Sequence, residues 1–371
     1  MRRNQSGMSL VEVLVAVAIG LIGMLVITQA YVTGDRFNRS TLGESGAQTN
    51  GLIGLYSIER DLRSSGYGIA DAAALGCGQL YWYYNGKYST NIQPTSTLPP
   101  VTVAPVFIKT DTTAPFTDPD EVTVMFATGG NRMLPGSIKV FSAASNKVTL
   151  DAWAGFNLND MVLLMGSSGC TLSRITNVDK TFNEFQLNPS ASAPQNVAGW
   201  GLFPVSYGTG DLIMNLGNPV VRTYSVAGGR LRVADSQLQT GALTPVDLMD
   251  GIVDLRAQYG KDNGINNGTV SAASYVANDA RVDQFSNTAP ASSAEWQQVL
   301  SVRIAVLARI GEYERPTTAG ANCDATTSAP AWSGGTFSAL DIATPTSQDR
   351  CYRYRVFETT IPLRNMVWRA T

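Results

Sequence analysis

The sequence predicts an α+β protein in which a long, apolar N-terminal helix packs on a large antiparallel β-rich globular domain. Three observations lead to this prediction. A window of 20 residues from Met8 to Ile27 contains only one ionisable residue, Glu12; a segment with helical spacing ends at two glycines; and apolar residues alternate with period two in the body. With 371 residues, the chain is long enough to bury a substantial core.

The apolar N-terminal segment has the length of a membrane span. Twenty helical residues extend about 30 Å, which matches the hydrocarbon core of a bilayer. Arg2 and Arg3 precede the segment and should stay on the cytoplasmic side, which places the rest of the chain beyond the inner membrane. A cleaved secretory signal is the alternative, but 28–31 (TQAY) is a poor cleavage site, whereas a cut between Gly7 and Met8 would retain the helix.

Glu12 is the residue in this helix that needs an explanation. A carboxylate within a lipid-spanning helix costs on the order of 2.5–3.5 kcal/mol, so it should have a partner. After a cut at Gly7–Met8, the new α-amino group would lie four residues before Glu12. The corresponding amine of a neighbouring helix is the natural counter-charge, and a Glu that snorkels to the membrane boundary is the alternative.

The segment 6–16 (SGMSLVEVLVA) resembles the class III signal of type IV prepilins and type II secretion pseudopilins. The resemblance implies that prepilin peptidase cuts after Gly7 and N-methylates Met8, and that Glu12 is the acidic residue at the fifth mature position. Major pilins usually carry a helix-bending proline further along, where this chain has Gly20 and Gly23.

The stem is predicted to continue beyond the membrane span, weakly over the glycine-rich residues 33–51 and more strongly after them. Leu52, Leu55, Tyr56, Glu59 and Leu62 recur at helical spacing and predict the face that packs on the body. Glycines then end the helix, and they lie at Gly66 and Gly68. A helix from Met8 to about Ser64 would be roughly 85 Å long.

The body is predicted to consist of antiparallel strands that each have one packed face. Period-two alternation is clearest in four segments, which are 122–126, 253–259, 300–306 and 352–356. No repeat with a period of 20–50 residues occurs, which argues against a solenoid or a propeller.

Four cysteines, Cys77, Cys170, Cys323 and Cys351, form an even set that favours disulfides in an exported body. Three pairings are open. Cys323–Cys351 is favoured because it would close the Thr/Ala/Ser-rich loop before the last strand, and it leaves Cys77–Cys170. Free buried thiols are the alternative.

The composition excludes several kinds of chemistry. The chain has no histidine, which removes His-based acid–base catalysis, Ser–His or Cys–His nucleophiles and His-ligated zinc. The net charge of −2 does not indicate nucleic-acid binding. We expect no enzymatic activity, no cofactor and no metal.

A second resemblance covers the stem end and the last third of the chain. Four segments are similar to PilW-type minor pilins and the related J-type pseudopilins, namely 58–67, 251–260, 296–309 and 353–365. The resemblance implies a pilin-like fold, with residues 1–7 as leader, 8–30 as transmembrane and assembly helix, 31–66 as stem and 67–371 as periplasmic globular domain.

The function implied by this resemblance is that of a minor pilin near the tip of a type IV pilus, which helps to prime assembly. Its partners would be prepilin peptidase, the major pilin, other minor pilins, the inner-membrane assembly platform, inner-membrane lipid before assembly and, as a further candidate, a tip adhesin. Three alternatives stay open at this point: a large pseudopilin of type II secretion, a tip-located adhesin, and an envelope enzyme with a pilin-type anchor.

Overall fold

The structure is a computed structural model. It describes residues 10–71, 74–75, 77, 80–84, 87–90, 103–110, 118–128, 134–189, 193, 196, 205–236, 245–265, 276–311, 313–316 and 320–367.

One helix, α1 (Leu10–Ser64), runs through the first part of the chain as predicted. Its 55 residues correspond to about 83 Å of helix. The helix stops where the sequence predicted, because Gly66 and Gly68 take φ values of +79° and +71°, a left-handed conformation that glycine adopts without a steric penalty.

The first part of α1 stands free of the body. The stretch Leu10–Asp35 is long and apolar enough to cross a membrane, and none of its most apolar window is buried within the chain. Among the described side chains, Glu44 and Ala47 are the first of α1 whose contacts with the body are resolved, and about 50 Å of helix precedes them.

The largest sheet has nine strands. Their order across the sheet is β2 (Lys87–Thr90), β1 (Leu80–Tyr84), β8 (Gly169–Arg174), β7 (Met161–Gly166), β11 (Leu212–Gly217), β5 (Gly136–Ser142), β6 (Lys147–Leu150), β10 (Glu184–Gln186) and β9 (Asn177–Asp179). Neighbours are antiparallel except β1 and β8, which are parallel. Residues of this sheet form most of two apolar clusters, one of which also includes residues of the five-stranded sheet and of the segment after α1.

Two further sheets hold the stem. The five-stranded sheet has the order β14 (Pro245–Asp250), β13 (Arg230–Ser236), β12 (Val220–Ala227), β4 (Glu121–Phe126) and β3 (Val106–Lys109). The four-stranded sheet has the order β16 (Gln284–Ser286), β15 (Ile252–Lys261), β17 (Val299–Arg309) and β20 (Tyr354–Pro362). A hairpin, β18 (Ala331–Trp332) and β19 (Gly335–Thr336), two short α-helices, α2 (Ser293–Gln297) and α3 (Arg364–Val367), and a 3₁₀ helix (Gln348–Cys351) complete the described elements.

The four alternating segments fall in strands as predicted, namely β4, β15, β17 and β20, although β20 begins two residues later than expected. The expectation of one packed face per strand is wrong for β15 and β17, because consecutive residues of both strands are buried and both of their faces are covered. The main core lies between α1 and the five- and four-stranded sheets. The nine-stranded sheet instead packs near the C-terminal end of the stem, where its Leu163 and Leu172 share a cluster with Ile69. The same cluster contains Met125 and Val221 of the five-stranded sheet.

The predicted packing face of α1 is only half right. Leu55 and Leu62 are buried, but Leu52 and Tyr56 are 50% and 64% exposed. The buried face instead follows one stripe of small and apolar side chains, which consists of Ala47, Gly51, Gly54, Leu55, Ile58 and Leu62. Body side chains occupy the space that the glycines leave, so close approach of the backbone, rather than side-chain size on the helix, selects this face.

Candidate functional site: the assembly helix and its joint to the body

Glu12 lies in the first described turn of α1, within a surface of exposed apolar side chains. The neighbouring Leu10, Val13 and Leu14 are 77%, 43% and 60% exposed. Gly7 and Met8, the predicted processing residues, lie outside the described residues. An exposed apolar surface of this extent requires lipid or another protein to cover it.

The chain itself provides no counter-charge for Glu12 along this stretch. Between Leu10 and Gly34, no other Asp, Glu, Lys or Arg occurs in the sequence. A partner for a buried Glu12 carboxylate must therefore come from the N-terminus or from another molecule, and an α-amino group fits in size and charge.

The helix first meets the body through polar contacts. Arg355 of β20 lies 2.9 Å from the Glu44 carboxylate, and the Asn50 side-chain amide donates a 3.1 Å hydrogen bond to the carbonyl of Asp250. Both sides of the Glu44–Arg355 pair are about half exposed, so this pair contributes little to stability.

Two glycines let the stem approach the body closely. A Cβ at Gly51 would overlap the ring of Phe357 on β20, and a Cβ at Gly54 would lie 3.0 Å from Leu231 Cδ2 on β13. Both strands therefore pack directly against the backbone of α1. This contact sets the distance between the stem and each of the two sheets.

A buried carboxylate joins the stem to the five-stranded sheet. Asp61 is 3% exposed, and its Oδ2 accepts hydrogen bonds from Arg222 Nη1 at 3.1 Å and from the Tyr224 hydroxyl at 2.7 Å. Burial raises the pKa of Tyr224, and the adjacent Asp61 carboxylate raises it further. The phenol therefore stays neutral and acts as a donor to the stem.

The sequence pattern did not reveal the role of Asp61. Charges in this segment are most often a solvated helix face, but Asp61 lies three residues after Ile58 and directly before Leu62, on the buried side. Its position on that face is the signal that could have identified it.

The structure forms two disulfides, and they join the pairs that the sequence favoured. Cys77 pairs with Cys170 of β8, with a Cα–Cα distance of 6.2 Å, and so ties the segment after the stem to the nine-stranded sheet. Cys323 pairs with Cys351, with a Cα–Cα distance of 4.9 Å, and closes the segment before β20. Among the described residues, no group of three His, Cys, Asp or Glu side chains could hold a metal ion.

The comparisons with known proteins agree with this arrangement. Residues 2–28 match the family model described as the prokaryotic N-terminal methylation motif, and this match contains Gly7, Met8 and Glu12. Together with the apolar helix and the β-rich body, it defines a type IV pilin-like protein. Residues 220–365 match the PilW family model, described as Type IV Pilus-assembly protein W, which confirms the resemblance over that part of the chain.

The remaining two comparisons concern solved structures and curated protein sequences. A type IV-like pilin from Thermus thermophilus shares 15% sequence identity, with 57% of this chain and 86% of that chain covered, at a TM-score of 0.22 that supports no further argument. No curated protein sequence matches the chain significantly.

Proposed function

We propose that this protein is a minor pilin of a type IV pilus, processed between Gly7 and Met8 and incorporated near the pilus tip, where it helps to prime assembly. The observation that carries the proposal is the combination of a methylation motif at the start of an uncovered apolar helix with a PilW segment in the body. In this proposal the matched families are structural components, and the protein is not an enzyme.

The proposed mechanism begins in the inner membrane. The apolar part of α1 holds the subunit there as a single span, with the body in the periplasm, until the subunit moves into the extracellular fibre. Residues 1–7 are the leader, 8–30 the membrane and assembly helix, 31–66 the stem and 67–371 the globular domain. Prepilin peptidase and the inner-membrane assembly platform act at this stage.

Charge pairing then sets the register of the subunits. When stems pack together, the Glu12 carboxylate of one subunit meets the α-amino group of Met8 in a neighbour. This contact replaces an unpaired charge in an apolar environment with a paired one. The neighbour is the major pilin or another minor pilin, and a tip adhesin is a further candidate partner.

The size of the body supports a position at the tip. The nine-stranded sheet, β1, β2 and β5–β11, lies outside the PilW match and adds mass near the far end of the stem. Such bulk is accommodated more easily at a cap than within a repeating shaft.

Deletion of the gene tests the proposal against its main alternative, a large pseudopilin of type II secretion. We expect few surface pili in the deletion strain, normal type II secretion, and recovery of pili when the full-length chain is supplied in trans. Electron microscopy of the cells and assay of a secreted substrate give the two readouts. Normal piliation combined with lost secretion would contradict the pilus assignment and support the pseudopilin.

A further inference from the structure

Asp120 connects the two sheets that hold the stem. It directly precedes β4 of the five-stranded sheet, and its backbone N–H donates a 2.9 Å hydrogen bond to the Leu255 carbonyl on β15. Its side-chain Oδ2 accepts a 2.9 Å hydrogen bond from the Ala257 N–H on the same strand. Because β16 pairs with β15 only at residues 259–261, Asp120 occupies the edge of β15 that β16 leaves open.

Among the described residues, the buried charges at this junction do not balance when every group is ionised, since one arginine faces two aspartates. Arg256 is 7% exposed and, in the part of the chain that the structure describes, is the nearest cation to two buried carboxylates, Asp254 and Asp120. It lies close to Asp254, with Nε 3.0 Å from Oδ1 and Nη2 3.1 Å from Oδ2, but its Nη1 is 3.8 Å from Asp120 Oδ1. The backbone N–H groups of Leu255 and Ala339 also donate to Asp254, at 2.8 and 3.4 Å.

One atom at the junction is suited to carry a proton. Within the described part of the chain, no hydrogen bond of good geometry reaches Asp120 Oδ1 or the buried hydroxyl oxygen of Thr110, although this hydroxyl lies close enough to lower the pKa of Asp120. Asp120 is 2% exposed, so an ionised carboxylate there pays a desolvation cost that Arg256, engaged by Asp254, offsets only in part. A proton on Oδ1 would remove the unbalanced charge and leave the bond between Oδ2 and Ala257 intact.

We propose that protonation of Asp120 controls the stability of the contact between the five- and four-stranded sheets. The contact is more stable when Asp120 carries a proton and less stable when it does not. Both sheets pack on α1, so this contact affects how firmly the body holds the stem.

Among the other titratable groups nearby, Tyr259 is a neutral phenol that accepts from the Ile108 N–H, and Lys109 and Glu121 pair with each other at the surface. Asp254 is the competing carboxylate, but Arg256 contacts both of its oxygens and the Leu255 N–H donates to its Oδ1, so its ionised form is better stabilised than that of Asp120.

Burial raises the pKa of Asp120 from 3.8 to about 6, and the negative charge of Asp254 adds to this, although the Ala257 N–H, Arg256 and the Thr110 hydroxyl act in the opposite direction. Burial also raises the pKa of Asp254, where Arg256 opposes it. Because the closed junction binds a proton more tightly than an open one, its stability is complete below about pH 4 and is lost as the pH rises through 6.

Hydrogen exchange of the full-length protein in detergent micelles tests this coupling. Protection factors, corrected for the intrinsic rate at each pH, are measured by mass spectrometry for peptides that contain Asp120 and Ala257. We expect wild-type protection at these amides to fall on the order of a hundredfold between pH 4 and pH 7.5. Peptides from β7 in the nine-stranded sheet serve as an internal control and should keep their protection.

Two variants separate the proton from other effects. Asp120→Asn keeps an acceptor for the Ala257 N–H without a charge, so its protection should be high and independent of pH. Glu121→Gln changes the exposed neighbouring carboxylate and should retain the wild-type pH dependence. The proposal is overturned if wild-type protection at Ala257 does not fall across this range, and this result does not depend on whether Asp120→Asn folds. It is also overturned if Asp120→Asn shows the same fall in protection as the wild type.

Discussion

Replacing Glu12 by Val should leave the protein in the inner membrane but remove it almost completely from assembled pili. The substitution makes the apolar helix more apolar, so membrane insertion should not suffer. In a pilus, however, the amine of the neighbouring subunit would lose its counter-charge, and an unpaired charge in an apolar environment costs on the order of 2.5–3.5 kcal/mol. Because 1.4 kcal/mol is a factor of ten, we expect incorporation to fall roughly a hundredfold.

The measurement compares sheared pili with membrane fractions on immunoblots of the same cells. Glu44→Gln is the matched control, since Glu44 is an exposed carboxylate on the same helix and pairs with the surface residue Arg355. This control should be incorporated normally. If Glu12→Val also reaches the pili at the wild-type level, the charge-pairing mechanism is wrong.

Replacing Asp61 by Ala should loosen the stem from the body and destabilise the body. The change removes the nearer acceptor of the Tyr224 hydroxyl, at 2.7 Å, and leaves it the Ser57 carbonyl at 3.3 Å. It also takes the nearest buried partner from Arg222. Arg222 is 30% exposed and keeps Asp235, which limits the loss. We therefore expect the free energy of unfolding to fall by about 2–3 kcal/mol.

Chemical denaturation of the detergent-solubilised full-length protein measures this change. Asp235→Asn is the control, because Asp235 contacts the same arginine from a 44% exposed position and its loss should cost less than about 1 kcal/mol. Equal effects of the two variants would show that the buried joint does not hold the stem.

Much of the fold could be predicted because its signals are local. A long apolar run, two glycines after the last helical turn and period-two alternation each depend on a few neighbouring residues, and α1, β4, β15, β17 and β20 all lie where these patterns indicated. The two disulfides also follow the favoured pairing, in which Cys323–Cys351 closes the Thr/Ala/Ser-rich loop before the last strand and leaves Cys77–Cys170.

The parts that sequence reasoning missed depend on contacts between distant segments. Leu52 and Tyr56 have the spacing of a packing face, but the sheets meet the glycine stripe instead, because Phe357 and Leu231 fill the space beside Gly51 and Gly54. The order of the nine-stranded sheet, with its parallel β1–β8 pair, likewise has no local signature.

The roles of the buried carboxylates Asp61 and Asp120 were also not predicted from the sequence. Asp61 contacts residues more than 160 positions away, and Asp120 contacts a strand about 137 positions away. Neither partner can be identified from the sequence around the aspartate, where an acidic residue most often indicates a solvated surface.

Mass spectrometry of the mature N-terminus in purified pili tests the central claim most directly. If the apolar helix is retained for assembly, the protein in the pilus fraction should begin at Met8 with an N-methyl group, and its first peptide should contain an unmodified Glu12. A mature chain that begins beyond residue 30, without the helix, or one that still carries residues 1–7 in assembled pili would contradict the account.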